Sequence, residues 1–580
     1  MSDMDHPSTL GSTRLGFADE RDVDLFVQML EKFEGNELTP DEWRAFRLVN
    51  GVYGQRQPDV TMIRVKIPSG ILTAPQLNAL ADVAERWANG KGHITTRQNI
   101  QYHFVKMSEA DEVLYHLANV GLTTREACGN AVRNVTQCPF AGVSHTEVFD
   151  SNPYAEAVTR FLLRGKWSAS LPRKFKIAFG GCCETDCIGA AFHDIGFFPR
   201  IRDGQRGFRV VIGGGLSTLR RNAFEAYAFL PAEQINEVSE AVVRVFHRTG
   251  DRKHRHKARL KFVIDKLGKD GFLKELNEEL DKVRAEGGRP LVLPPPPPEL
   301  KVKLNPVRAP RPGAAAFFEK NVRTQRQEGF NAVTVKVTLG DLTTSQFRAL
   351  AGLAQKYSAE EELRLTIEQN LVFRYVKTAD LPGLHADLVD IGLADVGPLG
   401  VLDVLSCPGA MSCKLAVTQS RGLASYVQEH LEARPEVTAK AEKLVIKASG
   451  CPNSCGQHHV AGIGFQGGVK KVGGKALPLY HVYIGGYLGP EAATFGRIGA
   501  KIPARRAGVF VERLINLYEQ HKLPGEDPNV FLARVDISLV KAAVADLTEI
   551  DESTATPEDF VDLGETRAFE VDLQEGECAA

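Results

Sequence analysis

Four of the ten cysteines in this 580-residue chain fall in two tight pairs. Cys407 and Cys413 enclose Pro-Gly-Ala-Met-Ser, and Cys451 and Cys455 enclose Pro-Asn-Ser. Thiolates are soft ligands for thiophilic metals. Four of them are what an iron–sulfur cube requires, one per iron. The prolines and glycines around both pairs disfavour helix and let backbone approach a cluster and its sulfurs. Structural zinc is the plain alternative. Its cysteine pairs usually enclose two to four residues, so the Cys407–Cys413 spacing suits it poorly. Four unrelated buried thiols form a third reading, against which stand two Cys-Pro pairs in one domain.

The elements that must carry these residues occur twice. VKIPSGILTAPQLNAL from Val65 is echoed by VKVTLGDLTTSQFRAL from Val335. Each reads as an alternating strand, a turn at Gly70 or Gly340, then an amphipathic helix. TTRQNIQYHFV from Thr95 matches TIEQNLVFRYV from Thr366. CPFAGVS from Cys138 matches CPGAMSC from Cys407, and CETDCIGAAFHDIGF from Cys183 matches CPNSCGQHHVAGIGF from Cys451. The shared order predicts two similar halves. Strand–helix–strand units followed by mixed strands and helices imply α+β domains, paired about a pseudo-twofold axis around a central cleft. The expected division is 20–115 and 314–398 as paired half-domains, 116–286 and 399–548 as larger α/β domains, a Pro-rich linker at 287–313 and an acidic tail at 549–580. Pro294 to Pro298 favour an extended surface segment. From Asp546 to the end there are twelve acidic residues and one basic.

Composition is that of an ordinary globular chain, with 71 basic and 72 acidic residues. That balance gives no global pull toward nucleic acid or membrane. The N-terminal residues lack an apolar signal core, and no apolar run is long enough to span a bilayer. A soluble cytoplasmic protein is expected.

C-x5-C followed by G-C-P-N-S-C resembles the family of siroheme- and [4Fe–4S]-containing sulfite and nitrite reductases, over about Leu38 to Leu547. The resemblance implies paired ferredoxin-like half-domains and two siroheme and iron–sulfur domains. It implies that Cys407, Cys413, Cys451 and Cys455 bind the cluster, that Cys455 also bridges to siroheme iron, and that Asn453 packs on the ring. Arg97, Arg133, Lys174 and Lys176 match the family's substrate-binding set, and Arg56, Arg173 and Gln137 are candidates for siroheme carboxylates. The alternation of KFK puts both lysines on one strand face and Phe175 on the other. Siroheme and a small oxyanion both need cations around them. Sulfite reductases of the family show Lys-x-Lys here and nitrite reductases typically Lys-x-Asn. A second positive charge suits a dianion such as sulfite. The expectation is therefore assimilatory reduction of sulfite to sulfide, with nitrite to ammonia as the rival. A siroheme-free iron–sulfur electron carrier is a further alternative, as is a zinc-stabilised binding protein.

Tyr53 and Cys128 resemble a pair joined by a thioether in some members. Cys138, Cys183 and Cys187 align with cluster cysteines, but Ser144 stands at the fourth position and Cys182 is an extra neighbour, so a relic of duplication is expected. Arg97 aligns with Glu368, so the anion pocket is asymmetric. GIGFQG at Gly462 lacks the following helix of a dinucleotide site and reads as strand and turn. With no flavin or nicotinamide domain evident, electrons must come from a separate ferredoxin or flavoprotein. The basic segment DRKHRHKARLK from Asp251 offers a landing surface, a solvated helix or contacts to siroheme. A monomer is expected.

Overall fold

The duplicated strand–turn–helix segments build two five-stranded antiparallel sheets that exchange a strand. One sheet runs Val52–Gly54, Val60–Val65, Ile100–Lys106, Lys91–Ile94 and then Asp341–Thr343, which comes from the other half. Its twin runs Val322–Thr324, Phe330–Val335, Leu371–Lys377, Glu362–Leu365 and then Ile71–Thr73. Each borrowed strand leads into a helix, Ala74–Arg86 or Thr344–Tyr357, with a Thr N-cap and a Gln three residues on that closes a capping box. The two helices pack on each other, and Leu77, Leu80, Phe347 and Leu350 belong to one continuous apolar core. The computed structural model describes residues 15–182, 186–574 and 576–577.

Two further sheets share one topology. Thr136–Gln137, Ile177–Phe179 and Ile195–Arg202 are parallel neighbours, extended antiparallel by Gln205–Ile212 and Phe224–Pro231. Leu405–Ser406, Ile446–Ser449 and Ile463–Val472 repeat the parallel part, with Lys475–Ile484 and Arg497–Pro503 antiparallel. Each sheet has its own apolar core with its own helices, Ile235–Thr249 and Leu260–Ala285 in the first, Ser420–Glu432 and Ala507–His521 in the second. The architecture is thus the expected duplicated α+β fold. In open sheets, ligands gather beyond the carboxyl ends of parallel strands, and both cysteine groups lie there.

GIGFQG lies within the strand Ile463–Val472. A Cβ on Gly467 would stand 2.0 Å from Thr418 Oγ1 and 2.6 Å from the Gly450 carbonyl. Glycine there lets the loop before Cys451 lie on the strand.

No helix among the described residues is long and apolar enough to cross a membrane. The acidic C-terminal segment docks on the first half. Arg47 grips the Glu577 carboxylate at 2.8 and 2.6 Å, and the Gly54 amide donates to it at 2.5 Å. Cys578 lies outside the described residues.

Candidate active site

The loop bearing Arg97 is fixed by its own side chains. Thr95 Oγ1 accepts from the Arg97 and Asn99 amides at 3.2 Å each, and Thr95 N donates to Asn99 O at 2.9 Å. The duplicate loop repeats this, Thr366 Oγ1 accepting from Glu368 N and Asn370 N at 3.2 Å each. The two loops therefore present Arg97 and Glu368 alike, one to each large domain. Near Glu368 the buried Lys447 donates to Gln457 at 3.1 Å, so the second half has an acid–base pair where the first has cations.

Arg97 Nη1 meets His193 Nε2 at 2.8 Å, and its Nη2 donates to Asn134 O. His193 Nδ1 lies 2.6 Å from Gly189 O, which only accepts, so the proton is on Nδ1 and Nε2 receives the arginine. Burial, then Arg97, holds His193 far below its ordinary value, which keeps this neutral tautomer. Burial, then Arg133, pushes Arg97 down to about 9. KFK precedes the strand Ile177–Phe179 rather than lying in it: Phe175 forms an isolated bridge to Val132 and is fully buried, while Lys174 and Lys176 on either side are half-buried. Burial, then Arg97, Lys174 and Arg259, drives Lys176 well below the ordinary lysine range, and Cys455 acts in the opposite sense.

That last interaction crosses between the halves. Thr96 Oγ1 donates to Cys455 O at 2.9 Å, fixing the Arg97 loop against the second cysteine pair. Cys455 is exposed, whereas Cys407 and Cys451 are buried and Cys413 is half-buried. Cys407 follows the strand Leu405–Ser406, Cys451 follows Ile446–Ser449, and Cys455 lies on the loop toward Ile463–Val472. Cys407 Sγ accepts from Gly450 N at 3.5 Å and lies 3.3 Å from Ser420 Oγ. Burial, then Cys455, raises Cys407 and Cys451 and pushes Cys413 up to about 12. Thiols so raised lose their protons only to a strong cation.

Among the described residues, the group of metal-binding side chains whose ligand atoms all fall within 4.8 Å is a different one, Cys138, Cys182 and Cys187. A single zinc bonded at about 2.3 Å would draw its sulfurs to about 4 Å or less. Cys407, Cys413, Cys451 and Cys455 supply four thiols from two loops, the number that a cube with one iron per thiolate requires. The donor set thus fits an iron–sulfur cluster, and Cys455 is the exposed thiol of the four.

Other candidates sit differently from the simplest expectation. Arg133 donates to Ala127 O at 3.0 Å and to Gly129 O at 3.0 and 2.6 Å, so its charge reaches Arg97 while its donors brace a loop. Arg56 donates to Ala416 O at 2.7 Å and Cys413 O at 3.3 Å, holding the cysteine loop. Gln137 is fully buried and donates to Ser151 Oγ at 2.6 Å. Arg173 is half-buried and Asn453 exposed. Cys128 Sγ lies 3.9 Å from Gly51 O, two residues before Tyr53.

Sequence reasoning missed His193, Asp194 and the inward end of the basic segment. Asp194 accepts from Lys176 N and from Arg259 Nη2, both at 2.8 Å. Lys261 is buried and donates to Leu216 O at 3.0 Å, while Arg252 to Lys257 are exposed. The change from polar to apolar at Ala258 and Leu260 was the available signal.

The comparisons with known proteins agree with this layout. The nitrite and sulphite reductase 4Fe-4S domain matches residues 128–284 and 399–542, and the nitrite/sulfite reductase ferredoxin-like half domain matches 53–120 and 323–391. A ferredoxin–nitrite reductase of Synechococcus elongatus is 34% identical over 75% of this chain and 81% of its own length. A sulfite reductase [ferredoxin] of Mycobacterium tuberculosis is 31% identical, covering 80% of each. The solved structure of Mycobacterium tuberculosis NirA protein superposes with a TM-score of 0.75 at 28% identity, over 90% of this chain and 95% of that one.

Proposed function

Because the chain belongs to the family of nitrite and sulfite reductases, which carry siroheme and a [4Fe–4S] cluster, we propose that it reduces sulfite to sulfide. In this reading Cys407, Cys413, Cys451 and Cys455 would hold the cluster, Cys455 would also help hold the siroheme, and Asn453 would pack beside it. Together the two groups would supply the electrons for reducing a small anion. The chain's own residues supply charge, orientation and protons. Arg97, oriented by His193, stays cationic and clamps oxygens. Lys174 and Lys176 neutralise the anion, and Lys176 Nζ, with lowered proton affinity, donates a proton to an oxygen as it leaves. Arg133 adds positive field, and Arg56, Arg173 and Gln137 belong to the shell around the ring. Tyr53 and Cys128 are the candidate thioether pair, whose joining would release two electrons and two protons to an external oxidant such as dioxygen.

The observation that carries the reading is the contact across the two halves between Thr96, next to Arg97, and the carbonyl of the exposed Cys455. The paired lysines favour sulfite. The 34% identical relative named for nitrite supports reduction of nitrite as the second reading. Both relatives are named for ferredoxin, which supports ferredoxin as donor to a monomeric enzyme, landing on the exposed residues Arg252 to Lys257. The same reading divides the chain at the boundaries expected from sequence.

An absorption spectrum of the reduced, full-length protein tests the proposal. Haem-type bands that shift when sulfite is added are expected. A spectrum with iron–sulfur absorption alone, unchanged by sulfite after siroheme reconstitution, would overturn it.

A further inference from the structure

The first half does more with its cysteines than a relic requires. Cys138 follows the strand Thr136–Gln137, and Cys182 follows the parallel strand Ile177–Phe179. Cys187 lies on the loop before Ile195–Arg202. Their sulfurs form a triangle with edges of 3.0 Å for Cys187–Cys138, 3.4 Å for Cys182–Cys187 and 3.9 Å for Cys138–Cys182. The backbone is shaped to allow it. A Cβ on Gly181 would stand 2.8 Å from Cys138 Cβ and 3.1 Å from its sulfur, so only glycine lets Cys182 approach.

Size and chemistry narrow what such a triangle holds. Thiolates held tetrahedrally at about 2.3 Å from one ion lie roughly 3.8 Å apart, so the Cys138–Cys182 edge already matches and the two shorter edges would open by less than about 1 Å as the ion enters. An iron–sulfur cube spreads its thiolates, one to each iron. A disulfide would use two sulfurs, whereas three converge, and it would consume an oxidant. Asp186 is committed elsewhere, accepting from Ala190 N and Ala191 N at 2.9 Å each. Cys182 and Cys187 are half-exposed, so water reaches a fourth position.

We propose that Cys138, Cys182 and Cys187 bind one zinc ion, with water completing a tetrahedron. The thiol protons leave to solvent as the ion binds, and no electron is transferred. The ion ties three loop ends of the first large domain at the place where the second half carries its redox centre.

The test is metal analysis of the full-length holoenzyme after exposure to stoichiometric Zn2+ and gel filtration. About one zinc per chain is expected beside about five irons, four in a cluster and one in siroheme. In Cys182→Ser, zinc should fall at least tenfold while iron content and the absorption spectrum stay. Should that variant fail to fold, zinc-edge X-ray absorption of the wild type decides, with about three sulfurs near 2.3 Å expected. Zinc below one-tenth per chain, a zinc shell without sulfur, about four extra irons, or a peptide map showing a disulfide between two of Cys138, Cys182 and Cys187 would each overturn the proposal.

Discussion

Lys176 is pulled two ways, by burial and three cations that lower its proton affinity and by Cys455, which raises it. Its protonated form is the donor, so turnover should fall as pH rises through a value below the ordinary 10.5. Lys176→Arg keeps the charge but releases no proton near neutrality. It should lower kcat about 100-fold with little change in KM, and it should remove that limb from the pH profile. Lys176→Asn removes the second positive charge and should raise the nitrite-to-sulfite ratio of kcat/KM about tenfold, as measured by paired steady-state assays. The cysteine spacing and the KFK alternation were legible in the sequence because both depend on local geometry. His193 and Asp194 were not, because their roles come from the return of a distant loop onto Arg97 and Lys176.

At the scale of elements, close backbone approaches hold the cysteine loops. Gly467→Ala would force the Gly450 carbonyl off the strand. A loss of about 1–3 kcal/mol is expected, seen as a lower thermal midpoint and faster bleaching of the cluster absorption. The sequence marked GIGFQG as glycine-rich but not why, since the partner of Gly467 lies on another loop. The C-terminal segment is the other surprise of this scale. An acidic composition reads as a partly ordered tail without saying where it docks, and Glu577 is buried on Arg47. Arg47→Leu leaves that carboxylate without its main partner and should cost about 3–5 kcal/mol of docking. Arg47 and the Gly54 amide outweigh burial and lower Glu577 below its ordinary 4.5. Its contribution is therefore full above about pH 4.5 and fades as pH falls through the lowered value. Limited proteolysis between 564 and 576 should show the release, at neutral pH in the variant and only in acid in the wild type.

Over the whole molecule, duplication was plain in the sequence, because the paired stretches keep their order. The exchange of Ile71–Thr73 and Asp341–Thr343 was not, since pairing between halves leaves no local pattern. Each half completes the sheet of the other, and removing a partner bares the edge strand Lys91–Ile94 or Glu362–Leu365. A fragment ending at residue 300 should therefore aggregate, and co-expression with 301–580 should return soluble complex by gel filtration. The same symmetry explains the site. Two similar loops face two similar domains, with arginine in one and glutamate in the other, and the arginine loop is the one that contacts the exposed Cys455. The most direct test of that assignment is the ratio of kcat/KM for sulfite to that for nitrite, measured on the siroheme-loaded full-length enzyme with reduced ferredoxin. A ratio above one is expected, and a ratio below one would contradict reduction of sulfite.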